Sequence, residues 1–377
     1  MLIKMKHFIF LLFACCLVGC KQPKNEYSFK DILFENSCGD SVINARISHI
    51  LLNVPDGYII GDISQICEMD DKIIVLQSDT RHCGAYIFNK SGQFVAKVGN
   101  CGRANGEYLS ADFVTIDGNK IVIFDQSRGY ALRYSSVDYS FIDRQKIFNT
   151  IFYAPFDDYN ICDNSETDAS KPFSEYQYVM TDKEFNPIKG YVEKFFISGY
   201  SSGPNVPMYT IDGEVRAYAQ HNPIVYRFGS DGVSPIYKFQ LEGLNFPNAS
   251  YMQSISAGNK PYYKELKNSG YVSYYSIYES NDGIYLKVIA DGKRYEGYYC
   301  KTEDKGVYCT KKDFENKFAA TSYCIGVIND SFVFPILIDE LKEMDEYEEE
   351  LFSEYGTIIR DAKNTDVLLT LCKFDLK

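Results

Sequence analysis

Residues that could carry out chemistry are present in this chain, but they do not stand in the patterns that a catalytic or metal site uses. Beyond the first twenty residues the histidines are His49, His82 and His221, which are far apart and include no pair at zinc-binding spacing. The sequence singles out no serine, histidine and aspartate triad and no nucleophile elbow. It therefore predicts no catalytic residue, no metal site and no cofactor.

One acidic segment has the residue types that bind calcium, at Asp157, Asp158, Asp163, Glu166 and Asp168. Calcium prefers carboxylate oxygens, but a known calcium loop orders them as Asp-x-Asp-x-Asp-Gly, and that order is missing here. We therefore interpret the segment as a solvated insertion and keep calcium binding as the alternative.

The clearest chemical signal lies in the first twenty residues. Two lysines precede the apolar run Phe8–Leu17, which is too short to span a bilayer because a spanning helix needs about 20 residues. Leu17-Val18-Gly19-Cys20 resembles the bacterial lipobox, in which the cysteine thiol is acylated and the chain is cut just before it. A plain signal peptide with an incidental cysteine is the alternative. The expected divisions are a lipoprotein signal peptide at residues 1–19, a lipidated tether at 20–27 that begins with the lipid on Cys20, and the main domain at 28–377.

The residues after Cys20 bear on the location of the protein. Lys21 stands where an aspartate often retains lipoproteins at an inner membrane, so we expect anchoring to the outer membrane through the N-terminal lipid. The segment Lys21–Glu26 lacks the run of acids that tends to accompany surface export. The sequence therefore favours the periplasmic face over the cell surface.

Composition limits the fold class and the kinds of partner that are expected. The formal net charge is −12 and no cluster of Lys and Arg occurs, so nucleic acid is not expected as a partner. Tyrosine (32) and phenylalanine (26) are abundant while tryptophan is absent. These aromatic residues favour pleated, half-buried surfaces, so the composition indicates β structure.

Twelve cysteines are present, and nine of them follow Cys20. Nine is an odd number, so at least one is unpaired in an exported protein. Cys300 with Cys309, and Cys83 with Cys101, are candidate disulfides. The alternative is that most of these cysteines are small hydrophobic residues within strands.

An internal repeat indicates the fold. Lys72-Ile-Ile-Val-Leu-Gln-Ser recurs 48 residues later as Lys120-Ile-Val-Ile-Phe-Asp-Gln, and each copy follows a turn signal and precedes an aromatic strand. Four short strands in about 48 residues is the size of one propeller blade. Weaker copies follow near residues 213–239, 282–310 and 322–337, and residues 150–200 are expected to hold one more blade, interrupted by the polar stretch Asp157–Lys171.

The two ends of the chain are both strand-like, at Ile47–Asn53 and Asp366–Phe374. Pairing them in one blade closes a ring and removes an exposed sheet edge. The predicted fold class is therefore all-β, a six-bladed β-propeller with four-stranded blades, rather than a pair of β-sandwiches. Asp339–Tyr355 has helical composition and is expected to be a short acidic helix inserted in the last blade.

Lys97-Val98-Gly99-Asn100-Cys101-Gly102-Arg103-Ala104-Asn105-Gly106-Glu107-Tyr108 ends the first repeat. It resembles the Lys-Ile-Gly-x-x-Gly-x-Gly-Pro-Gly-Glu-Tyr signature of six-bladed β-propeller lipoproteins of gut Gram-negative anaerobes, which are related to NHL-type propellers. The chain departs from that signature at Ala104-Asn105. The resemblance implies a fold and an envelope location, and it carries no established activity.

The same glycine-rich segment has two interpretations. In the first, its glycines allow positive φ in the crossing between two blades, and Glu107 and Tyr108 tie the loop to the next blade. In the second, Arg103, Glu107 and Tyr108 are ligand contacts at the mouth of the central channel.

Two classes of function remain open. The favoured one is a non-catalytic, envelope-anchored binding protein for a glycan, a peptide or an envelope protein, with contact surface from tyrosine-rich loops. Those loops are predicted at Tyr262-Tyr263, Tyr271–Tyr278 and Ser198–Gly203. The alternative is a propeller-fold hydrolase or lyase that acts on polysaccharide.

Overall fold

Antiparallel sheets of four strands repeat around an axis in the computed structural model of the protein. The structure describes residues 29–37, 43–78, 83–148, 150, 152–165, 172–196, 206–257, 262–318, 322–343, 356, 358 and 360–376. Each sheet is one blade of a six-bladed propeller, and the first strand of each blade faces the axis. The predicted fold class is confirmed.

The strands of each blade, from the axis outward, have the following bounds. Blade 1 contains β3 (Ile63–Met69), β4 (Lys72–Gln77), β5 (Gly84–Asn89) and β6 (Phe94–Val98), and blade 2 contains β9 (Phe113–Asp117), β10 (Lys120–Asp125), β11 (Tyr130–Ser135) and β12 (Phe141–Lys146). Blade 3 contains β13 (Tyr153–Phe156), β14 (Tyr159–Asp163), β15 (Tyr176–Asp182) and β16 (Pro187–Glu193), and blade 4 contains β17 (Met208–Ile211), β18 (Glu214–Tyr218), β19 (Ile224–Gly229) and β20 (Gly232–Leu241). Blade 5 contains β21 (Val272–Glu279), β22 (Gly283–Ala290), β23 (Lys293–Cys300) and β24 (Lys305–Thr310), and blade 6 contains β25 (Gly326–Ile328), β26 (Ser331–Leu337), β27 (Val367–Leu376) and β2 (Ile43–Leu52).

The 48-residue repeat corresponds to the second strands of blades 1 and 2. Both β4 and β10 are buried from their second residue to their last. Their Ile and Val side chains are buried on both faces because each blade packs against a blade on either side. The sequence signal is therefore strongest where a strand is buried on both faces.

The ring closes in blade 6 as the sequence predicts. The N-terminal strand β2 pairs antiparallel with the C-terminal strand β27 over ten residues, from Ile43 opposite Leu376 to Leu52 opposite Val367. Ten paired residues make this a long contact for a strand pair, so the two chain ends hold each other in place.

Three strands lie outside the four-strand pattern. In the crossing from blade 1 to blade 2, the short strands β7 (Asn100–Cys101) and β8 (Glu107–Tyr108) pair with each other in parallel. The third strand joins two blades. β1 (Lys30–Asn36) pairs in parallel with β20, the outermost strand of blade 4, and in parallel with β24, the outermost strand of blade 5. Blades 4 and 5 are thereby joined in a single nine-stranded sheet. Phe34 on β1 is fully buried, and its ring packs edge-on against Phe239 with ring centres 5.9 Å apart.

Blade 3 corrects the interpretation of the polar stretch Asp157–Lys171. Asp157 and Asp158 form the tight turn between β13 and β14, and β14 then lies inside the stretch. Residues 166–171 lie outside the described residues. The start of this stretch is thus part of the blade, since aspartate tolerates the positive φ of such a turn, here 49° at Asp157.

Short helices lie in the connections: Ala249–Ala257, Tyr262–Lys267, Lys311–Phe318 and Ile338–Glu343. The last of these is the start of the predicted acidic helix Asp339–Tyr355. Leu341 in it is buried against Ile336 and Leu368 of blade 6, as expected for a helix that packs on the last blade. Residues 344–355 lie outside the described residues.

Two of the tyrosine-rich segments are not loops. Tyr271–Tyr278 is mostly β21, the innermost strand of blade 5, and Tyr275 within it is completely buried. Tyr262-Tyr263 begins a helix. Ser198–Gly203 lies outside the described residues. Tyrosine is as common in buried strands as in exposed loops, so its abundance alone did not distinguish the two.

The proposed cysteine pairs are not disulfides in the structure. Cys83, Cys101 and Cys300 are free thiols, and Cys300 lies opposite Lys305 rather than opposite Cys309. The Cys83 thiol does form a hydrogen bond with that of Cys101. Cys309 is disulfide-bonded, and the other described cysteines are free.

Candidate functional site

The innermost strands surround a cavity on the propeller axis. Its volume is about 460 Å³, and residues from β3, β9, β13, β17, β21 and β25 line it, so every blade contributes. Sites for small ligands usually fall between roughly 300 and 1,000 Å³. The size therefore suits a small molecule or one segment of a polymer.

Polar groups gather at the end of the cavity where the first strand of each blade turns into the second. Glu68, Asp212, Asn281 and Asp330 lie there, and Glu68 and Asp212 are exposed. Asp330 accepts hydrogen bonds from the backbone N–H of Asn281 at 3.1 Å and from its side-chain amide at 3.2 Å. The mouth of the cavity is thus rich in carboxylate and amide oxygens, which accept hydrogen bonds from hydroxyl or ammonium groups.

The deepest charge at the cavity wall is Glu279, whose side chain is fully shielded from solvent. Its carboxylate accepts hydrogen bonds from Tyr209 at 2.6 Å, from Tyr237 at 3.2 Å and from Arg216. The Lys301 ammonium lies 2.7 Å from the same carboxylate. We call these five residues the Glu279 network; it joins blade 4 to blade 5 beside the cavity.

The positions of these residues on neighbouring strands explain why their side chains meet. Glu279 is the last residue of β21, while Tyr209, Arg216 and Tyr237 lie on β17, β18 and β20 of blade 4. Lys301 follows β23 directly and also donates to the carbonyl of Ser280 at 2.7 Å. A buried carboxylate must be paired and hydrogen-bonded, and adjacent blades supply all of its partners.

Protonation states in this region are fixed near neutral pH. Burial alone would raise the pKa of Glu279, but the charges and hydrogen bonds of Arg216 and Lys301 outweigh burial and lower that pKa. Burial, together with the neighbouring carboxylate, raises the pKa of Tyr209 well above its ordinary value. Burial raises the pKa of the Cys67 thiol, also in the cavity wall, to about 12. These groups thus present a constant pattern of an ionised carboxylate, a neutral phenol and a neutral thiol.

The wall also has apolar area, from Ile66, Phe113, Val114, Met208 and Ile277. An apolar wall with a few oriented polar groups is the usual composition of a ligand site. Chemically, the arrangement can bind a polar molecule with an apolar face and orient its hydroxyl or amine groups towards the carboxylates.

The predicted ligand residues Arg103, Glu107 and Tyr108 lie in the crossing from blade 1 to blade 2, and none of them lines this cavity. Tyr108 is fully buried; its hydroxyl donates to the carbonyl of Val98 at 2.8 Å and accepts from the N–H of Ala85 at 3.3 Å. Arg103 is exposed. The three residues are near each other because they are close in sequence, and their role in binding stays a prediction.

The loop fits the first interpretation of the glycine-rich segment in part, because the Tyr108 hydroxyl ties it to Val98 and Ala85 of blade 1 rather than to the next blade. Glu107 accepts a hydrogen bond from the N–H of Ala104 at 2.8 Å, which closes the turn. Gly99 and Gly106 have positive φ, 65° and 78°, as expected. Gly102 does not; a Cβ there would lie 2.0 Å from the Glu107 carboxylate, so the Glu107 side chain would have to move to accommodate it.

The remaining candidate residues do not form a metal site among the residues that the structure describes, where no three His, Cys, Asp or Glu side chains could jointly hold an ion. His49 lies on β2, where its Nδ1 is 3.3 Å from the Thr370 hydroxyl, and His221 is buried between β18 and β19. His82, Glu166 and Asp168 lie outside the described ranges. Gly199–Gly203 has the Gly-x-Ser-x-Gly spacing, which sequence reasoning overlooked, and it also lies outside them.

The Glu279 network was missed by sequence reasoning as well. Arg216 and Glu279 are 63 residues apart, and neither belongs to a motif. A weak signal existed, because Arg216 lies among the buried residues of β18 and Glu279 ends the mostly buried, tyrosine-rich strand β21. A charged residue in such a strand predicts a buried partner but does not identify it.

In the part of the chain that the structure covers, no helix is long and apolar enough to cross a membrane. Cys20, the predicted lipid site, lies outside the described residues.

Comparisons with known proteins show which proteins share this architecture. The structure is similar to a protein from Bacteroides fragilis described as a "putative exported protein", at 25% sequence identity and a TM-score of 0.82, covering 92% of this chain and all (100%) of that one. BamB from Moraxella catarrhalis matches at 12% identity and a TM-score of 0.38, over 75% of this chain and 72% of its own, which is too low to bear on function. No functionally curated protein matches the sequence. A family profile described as a six-bladed β-propeller matches residues 22–335, and the chain therefore belongs to that family of six-bladed β-propeller proteins.

Proposed function

We propose that this protein is an envelope-anchored binding protein, in which the propeller holds a polar ligand in its axial cavity without transforming it. The observation that carries this proposal is the cavity of about 460 Å³ with contributions from all six blades and a mouth of carboxylates and amides. Hydroxyl-rich or amine-bearing molecules suit such a mouth, so the ligand class is a glycan or a peptide.

The ionisable groups of the cavity support binding over catalysis. A general acid or base works best when its pKa lies near the operating pH, and a nucleophilic cysteine needs a low pKa. Glu279 has a lowered pKa and several partners, while the pKa of Cys67 is raised to about 12. Both groups are better suited to hold a ligand or a neighbouring blade than to exchange protons with a substrate.

Thermal unfolding with a panel of neutral glycans, acidic glycans and peptides tests this proposal. A ligand at 100 times its dissociation constant adds about 2.7 kcal/mol of stability, which raises the unfolding midpoint measurably. Asp212→Asn removes a carboxylate at the cavity mouth and is expected to reduce the ligand-induced shift.

Asp70→Asn is the matched control, because Asp70 occupies the same kind of turn in blade 1, with φ of 50° against 52° at Asp212, and does not line the cavity. An equal reduction in both variants, or no shift with any ligand, would contradict binding in the cavity. Release of product from the bound ligand would instead favour the hydrolase or lyase alternative.

The anchoring part of the proposal is supported by the N-terminal sequence and by the similar protein from Bacteroides fragilis. The lipobox-like Leu17–Cys20 predicts removal of residues 1–19 and a lipid on Cys20, with residues 20–27 as the tether. The similar protein from Bacteroides fragilis is described as a "putative exported protein". We place the protein at the outer membrane and favour its periplasmic face.

Cys20→Ser tests the anchor separately from the cavity. The variant is expected to lose metabolic lipid label and to leave the membrane fraction, while Cys67→Ser, in the cavity wall, is expected to keep both. Retention of the lipid label on the Cys20→Ser protein would show that another residue carries the anchor.

A further inference from the structure

Three positively charged side chains surround one tyrosine ring at the junction of blades 5 and 6. The Lys287 ammonium lies 3.5 Å from the centre of the Tyr323 ring, the Lys311 ammonium 4.2 Å and the Arg294 guanidinium 5.3 Å. All three distances start from the same point, so the three charges lie within a sphere of radius 5.3 Å. We call Lys287, Arg294, Lys311 and Tyr323 the Tyr323 cluster.

Four separate chain segments build this cluster. Lys287 lies on β22, opposite Glu296 of β23, and Arg294 lies two residues before Glu296, so both cations are on the face of blade 5 that meets blade 6. Lys311 is the first residue of the helix Lys311–Phe318, and Tyr323 precedes β25. Because these four segments are brought together by the fold, the four side chains are neighbours through tertiary structure and not merely through sequence.

The cluster lies away from the axial cavity. Arg294 is next to the turn Asp291–Gly292 that joins β22 to β23, whereas the cavity residues Ser280 and Asn281 belong to the turn at the other end of β22. The two regions are therefore at opposite ends of blade 5, and a ligand in one does not occupy the other.

The positive charges of the cluster act on one another at Lys287. The carboxylate of Glu296, which is only 1% exposed, attracts the Lys287 ammonium, while Arg294 and Lys311 repel it. Burial first, and then repulsion by Arg294 and Lys311, lower the pKa of Lys287 to about 8. Such crowding of positive charge is unexpected in a chain whose formal net charge is −12. Cation–π attraction to Tyr323 offsets part of this repulsion at Lys287, and a bound anion would reduce it further.

We propose that the Tyr323 cluster is a second binding site, which takes the carboxylate or sulfate group of an acidic polysaccharide. Charge complementarity fixes the anionic group. A half-buried tyrosine, Tyr274, whose ring centre is 5.6 Å from the Lys287 ammonium, adds an aromatic surface beside the cations against which a sugar ring can pack. Arg294 is exposed and Lys311 half-buried, so the cluster is open to a polymer from solvent. This site does not depend on the function proposed for the cavity.

Calorimetric titration of the purified full-length protein with polygalacturonate tests the proposal, with neutral dextran as the comparison polymer. We expect binding to polygalacturonate that weakens as NaCl is raised, and none to dextran. Arg294→Gln combined with Lys311→Gln is expected to weaken binding about tenfold or more, since charge-assisted hydrogen bonds are lost. Arg294→Lys is expected to retain most of the affinity.

Lys293→Gln is the matched control, because Lys293 is exposed on the same strand but on its other face. An unchanged unfolding midpoint in each variant shows that the fold is kept, and the surface position of Arg294 makes this the expected result. Equal loss in the control, equal binding of dextran, or binding to vesicles with anionic lipid headgroups but not to polygalacturonate would each overturn the proposal. Sulfated dextran that competes with polygalacturonate would support it.

Discussion

Two junctions between neighbouring blades are held by different chemistry. Between blades 1 and 2, the Gln65 side chain donates to the carbonyl of Val114 at 2.9 Å and accepts from its N–H at 2.9 Å, so the contact is neutral. Between blades 4 and 5, the Glu279 network holds the blades through buried charge. The repeated architecture therefore does not require repeated contacts, and only the second junction should respond strongly to pH.

The second junction carries another titratable group at its other end. His221, between β18 and β19 of blade 4, is buried, lies 6.0 Å from the Phe196 ring and has a backbone hydrogen bond with Val272 of blade 5. Burial lowers the pKa of His221 to about 3. Blades 4 and 5 are thus linked by groups whose pKa values differ between the folded and the unfolded protein, so their charge differs between the two states as the pH falls below neutral.

The largest effect is expected from Glu279→Gln. Loss of the carboxylate leaves Arg216 and Lys301 without their buried partner, and the free energy of unfolding should fall by about 3–5 kcal/mol. The folded-state pKa of Glu279 is below its ordinary 4.5, so its stabilisation is present above that pH and is lost as the pH falls. Urea unfolding at pH 7 and pH 4 measures both effects.

Asp231→Asn is the control for that comparison. Asp231 pairs with Arg227 on the surface, where its side chain is 69% exposed, and such a pair contributes about 0–1 kcal/mol. A loss in Glu279→Gln no larger than that in Asp231→Asn would show that the network contributes little to the junction.

At the neutral junction, Gln65→Leu leaves the N–H and carbonyl of Val114 without their side-chain partner. The free energy of unfolding should fall by about 1–3 kcal/mol, by the same amount at pH 7 and pH 4. Gln93→Leu, at an exposed position of blade 1, serves as the control and should change stability little. A Gln65→Leu effect that varies with pH would remove the distinction between the two junctions.

His221→Gln tests the pH response of the charged junction directly. Because the folded-state pKa is about 3 and the ordinary value is 6.5, the unfolded chain takes up a proton first as the pH falls. Wild-type stability should therefore decline between pH 6.5 and 3, with a slope of up to about 1.4 kcal/mol per pH unit from this group. His221→Gln should show a flatter curve in that window, and Gln65→Leu should keep the wild-type slope; identical curves for wild type and His221→Gln would contradict the assignment.

The smallest effect is expected from Tyr108→Phe, in the crossing that joins blades 1 and 2. Loss of its hydroxyl removes the hydrogen bonds to Val98 and Ala85 and should cost about 1 kcal/mol. Arg103→Ala, at an exposed position, should leave stability unchanged. If Arg103 contacts a ligand, as the second interpretation of this loop holds, the same variant will reduce ligand-induced stabilisation.

The blades with strong sequence repeats were the most predictable part of the fold. β4 and β10 could be located because strands that are buried on both faces contain continuous Ile and Val. The closing pair β2 and β27 could also be predicted. When the chain forms a ring of blades, the strands at its two ends lack neighbours until they pair with each other. Both predictions depend on local pattern or on topology, which a single sequence contains.

Contacts between blades were not predictable in the same way. β1 has an ordinary strand sequence, and nothing in Lys30–Asn36 indicates that two outer strands will accept it in parallel. Likewise, the partners of Glu279 come from four different strands or turns, and each is a common residue type. When residues from distant parts of the chain form a site together, they have no fixed sequence spacing by which the site could be recognised.

The position of β1 gives the chain a mechanical property. A pull on residue 29 acts along β1, so the hydrogen bonds to β20 and β24 carry the load together in shear instead of opening one at a time. The force passes into the outer strands of blades 4 and 5 before it can reach β2, the strand that closes the ring. Tension applied from the N-terminal side is therefore isolated from the closure of the propeller.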